Sequence, residues 1–449
     1  MDFSPRRQGG AIAIMVALTM LVLLAVVGLV IDGGLAYLVK ARLNAAVDSA
    51  ALAAARAVPS GNNKDEQIAN AKAAAADFFA ANMPSGYMLS QPKLVSTNVD
   101  LSTGGTAVID VRAEAPMPVS VMQVLGFTAL TPTAAAQTIR KDLDMAFVVD
   151  TSGSLSSNAA AVQASAKSFL NKFNVTQDRV ALIHFASGVK TDNSINATGR
   201  GFNRASMNTN INAFKFDGGT SSVEGLREAR EELNSVTLSN RSSMRVIVFF
   251  SDGAPTSFGT YLTFNTPTDC IKAGALDSAG GGLGLLDLNI TADTPIQTSC
   301  TLKSPVYNSA KTLPPYYTLH VANSWLTRNA DSDLPIVTGG RRPVTNDLSS
   351  AKSGQNIDRA ARNLAEGMAA KARDEGIFVF TLGMGAALKS GSSYDPDTGE
   401  SILKCMANVA DSRCYNPNKP VGMYCYAATE TDLTPCFSRL ASAILRISK

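Results

Sequence analysis

The sequence predicts an α/β protein built in three parts: a transmembrane helix prolonged as a helical stalk, a small α+β module, and a doubly wound domain carrying a large insertion. Three observations carry that assignment. Ala11 to Ile31 is an uncharged apolar run near the N-terminus. From Asp144 onward, all-apolar runs alternate with helical stretches, as in a parallel sheet covered on both faces. Two of those runs lead into oxygen-rich turns, Asp150-Thr151-Ser152-Gly153-Ser154 and Ser251-Asp252-Gly253, and ligands of such sheets collect at the carboxyl ends of strands.

Residues 1–58 form the first part. The 21 residues from Ala11 to Ile31 span about 30 Å as a helix, enough to cross a bilayer core. Arg6 and Arg7 precede them, so the positive-inside rule puts the N-terminus in the cytoplasm and everything after Asp32 outside. This predicts a single-pass anchor in contact with membrane lipid. A cleaved signal peptide competes with it, but the run is long for one and no clear small-x-small site precedes a polar break. Gly9-Gly10 suggests prepilin-type processing; no Glu follows at the fifth position, so cleavage is not expected. Beyond the span, Leu35, Val39, Leu43, Val47 and Ala51 recur every four residues while Lys40, Arg42, Asp48 and Arg56 lie off that stripe, which extends the helix to about Val58. Its Ala-rich face permits close packing, either onto the chain's own module or, as a pilin-like spine, onto other subunits. The pattern does not separate these two.

Residues 59–140 read as a membrane-proximal α+β module. A hinge at 59–64 precedes a helix at 65–82; 93–140 alternates polar and β-branched residues around a Gly104-Gly105 turn, and Thr106 to Arg112 is the clearest strand. Pro116 and Pro118 fit an edge or loop. Packing or spacing is the expected role.

Residues 141–449 form the doubly wound domain. Strands are expected at 144–151, 178–186, 244–251 and 377–383, with helices at 156–173, 221–235, 357–375 and 431–446. The stretch 254–356 is an insertion where a compact domain would use a short connection. It leaves the sheet directly after Asp252, which puts it beside the oxygen-rich turns. Trp325, Tyr316-Tyr317 and Gly280 to Gly284 suit a recognition loop; a disordered elaboration is the alternative. The cysteines, Cys270, Cys300, Cys405, Cys414, Cys425 and Cys436, are even in number and confined to the part predicted outside, as disulfides require. Proximity suggests Cys270 with Cys300, and the other four stapling the C-terminal segment around Tyr415 to Tyr426. Zinc is the weaker alternative, because no Cys-x-x-Cys occurs and neither histidine is close in sequence.

Asp150, Ser152, Ser154, Thr220 and Asp252 are the candidate metal ligands. Two carboxylates and three hydroxyls make a hard, all-oxygen site suited to Mg²⁺, or to another divalent cation such as Mn²⁺ or Ca²⁺, with a position open for a partner's carboxylate. A local alternative has Ser152 and Ser154 capping a helix near Ser156 and Asp252-Gly253 forming an ordinary turn; it leaves the joint arrangement unexplained. The Asp-x-Ser-x-Ser pattern, followed in order by Thr220 and Asp252, resembles the metal-ion-dependent adhesion site of von Willebrand factor type A domains, at every motif position. The resemblance covers about 143 to 253 and 357 to 446 and implies a Rossmann-like type A fold.

The opening looks like the TadE/TadG-like region of tight-adherence pilus assembly proteins, over about 6 to 57. The residues that carry the likeness are the basic start Arg6-Arg7-Gln8-Gly9-Gly10, the span, Asp32 at its exit and the stretch from Arg42 to Ala53 with its run Ala51-Leu52-Ala53-Ala54. Joined to a type A domain, it is similar to the TadG-like architecture. That resemblance implies a role in assembling or anchoring Flp-type pili at a bacterial inner membrane, with the C-terminal domains in the periplasm or outside the cell and other pilus-assembly or pilin-like proteins as partners.

A net charge of +3, with no Lys or Arg run, gives no reason to expect nucleic acid. Catalysis is not expected either. His184 lies within an apolar strand, His320 has no nucleophile motif near it, and the Gly-x-Ser-x-Gly, His-Glu-x-x-His and Gly-Lys-Ser/Thr signatures are missing. Asp150 and Asp252 alone would offer a metal-dependent hydrolase neither a base nor a second metal. Pilus assembly or anchoring therefore ranks first, a metal-dependent surface adhesin second and a hydrolase third.

Overall fold

The N-terminal apolar run and the four-residue stripe after it form one uninterrupted helix, α1 (Gly9–Ala57). The computed structural model describes residues 9–58, 64–101, 107–140, 142–242, 244–264, 271–279, 310, 312–318 and 330–447. They fall into two units, Met1–Arg140 and Lys141–Lys449.

In the first unit, α1 has two halves of different chemistry. From Ile12 to Ile31 every side chain except Ala25 is exposed, apart from Gly28, which is buried. This is one helix long and apolar enough to cross a membrane. From Val39 onward, Leu43, Ala46, Val47, Ala50, Ala51 and Ala54 are buried, and Lys40, Arg42, Asp48 and Arg56 stay exposed. That stripe packs on α2 (Lys64–Asn82), through Ala71, Ala75 and Phe79, and on a three-stranded antiparallel sheet. The strands are β1 (Lys93–Leu101) and β2 (Ala107–Glu114), then β5 (Thr133–Arg140), after the short pair β3 (Met117–Pro118) and β4 (Ala129–Leu130). The central strand alternates as period two demands: Ile109, Val111 and Ala113 enter the core while Asp110 and Arg112 do not. The stalk stripe is thus covered by the chain's own module, and a neighbouring subunit would have to use another face. Lys64, the last residue of the expected hinge at 59–64, instead opens α2; 59–63 and the Gly104-Gly105 turn lie outside the described residues.

In the second unit the elements run β6 (Leu143–Asp150), α3 (Ala159–Leu170), β7 (Arg179–Phe185), β8 (Val189–Asn193), α4 (Arg204–Asn212), α5 (Ser222–Ser235), β9 (Met244–Ser251), β10 (Ser257–Thr263), β11 (Ile271–Asp277), β12 (Tyr316–Thr318), β13 (Ala330–Pro335), α6 (Ser353–Asp374), β14 (Phe378–Met384), α7 (Gly399–Ala407), β15 (Tyr424–Ala427) and α8 (Leu433–Ile447). Among the described residues the main sheet has the order β15-β14-β9-β6-β7-β8, with every pairing parallel except β7 with β8. Alternate residues of β6 feed two cores. Ala146 and Val148 pack with α5 and α6; Met145, Phe147 and Val149 pack with α3 and α8.

Four elements outside the insertion go beyond the sequence reading. Edge strand β8 is polar and hangs on a tight turn, Ala186 N donating to Gly188 O at 2.9 Å. Helix α4 buries only Met207 and Ile211, four apart, and starts on Asn203, whose side chain accepts from Ser206 N. Helix α7 and strand β15 are short. Disulfides tie these last two down: Cys405–Cys414 and Cys425–Cys436, with sequence separations of 9 and 11.

The described part of the insertion forms strands that enlarge the core. Phe258, Leu262 and Phe264 of the β10 side, Leu276, Tyr317 and Leu334 join the cluster under α5 and α6. Tyr317 Oη donates to Glu224 Oε1 at 2.9 Å, and Gly259 N donates to the same oxygen at 2.9 Å. Cys270, Cys300, Gly280 to Gly284, His320 and Trp325 lie outside the described residues.

Candidate metal centre

Strand register sets the geometry. Val149 pairs with Phe250 in the parallel β6–β9 ladder, so Asp150, which ends β6, and Asp252, just past β9, leave the same sheet edge from neighbouring strands. From β6 the chain goes to β7 on one side and later to β9 on the other. That reversal opens a crevice at the carboxyl ends of the two strands.

Hydrogen bonds bring the residues together. Asp150 is fully buried; its Oδ1 accepts from Ser152 N at 2.8 Å and its Oδ2 from Ser251 Oγ at 2.6 Å. Ser152 Oγ and Ser154 Oγ are 3.2 Å apart, and Ser154 Oγ donates to Asp252 Oδ1 at 2.9 Å. The capping alternative fails here, because Ser152 makes no side-chain cap bond and residues 153–158 form a 3-10 turn before α3. Thr220 reaches the site on a loop clipped to the first one: Asp217 N donates to Thr151 O at 2.9 Å and Gly153 N to Gly218 O at 3.0 Å. A Cβ on Gly253 would stand 3.8 Å from Thr220 Oγ1.

Glycine is required twice in that loop. Gly218 has φ 88°, which a side chain disfavours. A Cβ on Gly219 would fall 1.8 Å from Asp277 Oδ2.

Ser152, Ser154 and Thr220 line an open cavity of about 770 Å³, and each carboxylate bonds to one of those serines. Burial, reinforced by the charge on Asp252, pushes the Asp150 carboxyl up to about 7; burial likewise raises Asp252 to about 6. Among the described residues neither carboxylate has an ion-pair partner. Two buried acids beside three hydroxyls, with no cation against them, are the donor set a hard divalent ion takes. The residues present fit such an ion.

The cavity walls were only half foreseen. One is the end of the β10–β11 hairpin, Asp277 to Ala279, as expected from where the insertion leaves the sheet. The other is the Ser390 to Tyr394 loop with Asp358 and Arg362 of α6, which sequence reasoning missed. One signal was available: the Ser-Gly-Ser-Ser loop follows the apolar strand β14, and loops after parallel strands gather at this edge. Arg362 Nε lies 2.8 Å from Asp358 Oδ2, so its charge is engaged inside the wall. His184 is buried with Nδ1 2.5 Å from Asp192 Oδ2, a satisfied core residue as expected.

Residues 144–282 match the von Willebrand factor type A domain, and residues 10–57 match the family described as "Putative Flp pilus-assembly TadE/G-like". The chain thus carries a TadE/G-like N-terminal region followed by a type A domain. No functionally curated protein matches it. Among solved structures it is similar to the pilus adhesin SpaC from Lactobacillus rhamnosus GG, at 18% identity and TM-score 0.40, over 80% of this chain and 34% of that one. The chain therefore spans about a third of that adhesin's length. It is also similar to the von Willebrand factor domain of the type V pili tip protein Mfa5 from Porphyromonas gingivalis, at 16% identity and TM-score 0.39, over 70% of this chain and 98% of that one. A third similar structure is proximal thread matrix protein 1 from the mussel byssus with a zinc-occupied MIDAS motif, at 13% identity and TM-score 0.34, over 68% of this chain and 46% of that one.

Proposed function

We propose that this chain is a membrane-anchored component of Flp-type pilus assembly or anchoring, whose type A domain grips a partner's acidic side chain through a divalent cation. The joining of a TadE/G-like region to a type A domain supports the pilus assignment. The observation that carries the metal reading is the pair of buried, uncompensated carboxylates bonded to Ser152 and Ser154 at the sheet's reversal point.

Asp150, Ser152, Ser154, Thr220 and Asp252 would hold the ion, with Mg²⁺ favoured by the all-oxygen set and Mn²⁺ or Ca²⁺ as alternatives. When bound, the cation supplies a Lewis-acidic position for the partner's Asp or Glu. The chain's own groups set the rest. Ser251 and the Ser152 amide hold Asp150 in place, the Gly218-Gly219 loop brings Thr220 close, and the β10–β11 and 390–394 walls decide which partner surface fits. Binding rather than turnover is the reading, with other pilus components as partners and the apolar part of α1 as a single-pass anchor in the inner membrane, N-terminus in the cytoplasm.

Electron microscopy of surface fibres tests it, in cells lacking the chain and complemented with wild type or Asp150→Ala at matched levels. Fibres absent from the deletion strain and unrestored by Asp150→Ala are expected. Abundant fibres in every strain, with attachment lost, would reject the assembly role in favour of a surface adhesin.

A further inference from the structure

The segment between Glu114 and Arg140 lays an uncharged surface beside the end of the apolar run of α1. Residues 115–139 contain no Asp, Glu, Lys, Arg or His, although much of the stretch lies at the surface. Its middle, Val119 to Leu130, is a loop with a 3-10 turn at Met122–Leu125 that closes on strand β4 (Ala129–Leu130). Phe127 at its tip is 48% exposed.

The loop is fixed to α1 at the end of the apolar span. Asp32, itself buried, accepts from Ser120 N at 3.0 Å, Val121 N at 2.9 Å and Met122 N at 2.8 Å. Deeper still, a Cβ on Gly28 would lie 3.2 Å from Val121 Cγ1. Gly28 precedes Ile31 by three residues, about 4.5 Å along the helix axis. The loop therefore reaches the level of the last turn of the apolar run, where an aqueous surface loop would be out of place.

Its backbone is equipped for that depth. A loop at membrane level must satisfy its polar groups internally. Here the three amides go to Asp32, Gly126 N donates to Gln123 O at 2.9 Å, and Gln123 Nε2 donates to Val119 O at 3.0 Å. Phe127 is wholly apolar, and apolar side chains such as Phe and Leu are the ones that interfacial segments bury at the headgroup/acyl boundary.

We infer that the Val119–Leu130 loop is a foot that inserts Phe127 into the lipid leaflet at the Ile31 end of α1 and fixes the module upright on the bilayer. The occupant is lipid, because the patch continues the lipid-facing surface of the span itself. The inference rests on the anchor reading above.

Full-length protein in vesicles of zwitterionic phospholipid, with Trp325→Phe removing the chain's one tryptophan, allows Trp probes to be placed singly. Phe127→Trp and its exposed neighbour Thr128→Trp report on the foot, and Leu23→Trp on mid-span. Phe78→Trp is a matched aqueous control: Phe78 is 50% exposed on α2, one turn from Asn82, which bonds Ser49 on α1 at 3.2 Å, a level about 27 Å beyond Ile31. The Phe127 and Thr128 probes should lose most of their emission to brominated phospholipid and resist iodide, while Phe78→Trp does the reverse. Lipid quenching at Leu23 but iodide quenching at 127 and 128 would overturn the foot and leave the anchor standing. Shielding of 127 and 128 from both quenchers would mean that protein, such as a second copy, covers the loop, and would also overturn it. Failure of lipid to quench Leu23→Trp would overturn the anchor reading and the foot with it.

Discussion

Ser154 donates its hydroxyl to Asp252 at 2.9 Å, across a sequence separation of 98 residues. The bond joins the turn after β6 to the turn after β9, so the oxygens of both turns face one point. On the proposed metal reading, a cation arriving there would find its ligands already gathered, with little ordering left to do.

Replacing Ser154 by Ala removes both the tether and one oxygen. Hydrogen bonds to charged groups are worth about 1.5–3 kcal/mol, so Mg²⁺ affinity should fall about tenfold or more with the fold retained. Calorimetric titration of the full chain, alongside circular dichroism, measures both. Unchanged affinity would remove Ser154 from the site.

The metal-free protein should lose stability as pH rises. Burial raises the carboxyls of Asp150 and Asp252 to about 7 and about 6, against about 3.9 for a free aspartate. The unfolded chain therefore ionises first, and the stability these acids contribute, full below about pH 4, is lost as pH climbs through about 6 to 7. Melting of wild type in chelator should fall relative to Asp150→Asn across that window. Mg²⁺ at about pH 8 should restore it, because the cation compensates the ionised pair. A flat difference between the two proteins would contradict the raised values.

Gly219→Ala should damage the site from outside it. The new methyl would overlap Asp277 Oδ2, 1.8 Å away, and overpacking of this kind costs about 1–3 kcal/mol. The loop carrying Thr220 must shift, so metal affinity and melting temperature should fall together. Wild-type values for both would mean that Asp277 moves aside freely.

Tyr317→Phe tests whether the insertion is structural. It deletes one of the donors to the buried Glu224 oxygen, and a less satisfied buried carboxylate costs about 1–3 kcal/mol. Chemical denaturation should show that loss without a change in fibre number beyond what reduced protein level explains. A neutral result would make the Tyr317 contact incidental.

How much of this was legible in the sequence follows from how local each signal is. Strands β6 and β9 are buried on both faces, so their runs of apolar residues betrayed them, and the Asp at the end of each marked the sheet edge. The stripe Val39, Leu43, Val47, Ala51 gave the long helix for the same reason. Strand β8 and helix α4 were missed because they are peripheral and mostly polar, and bury too few side chains to leave a period. Glu224 reads as an ordinary acid in the first turn of α5; its partners Gly259 and Tyr317 come from an insertion that no spacing connects to it. Asp32 is similar. Its place at the end of the span was plain, but the three amides that hold it come from 88 to 90 residues away.

On the reading proposed above, Asp150 and its neighbours hold a divalent cation. Calorimetric titration of Mg²⁺ into the full chain at about pH 8, with wild type beside Asp150→Ala, addresses it most directly. A single saturable site in wild type that disappears in a folded Asp150→Ala variant is the predicted result. No saturable binding by folded wild type, or equal binding by both proteins, would contradict it.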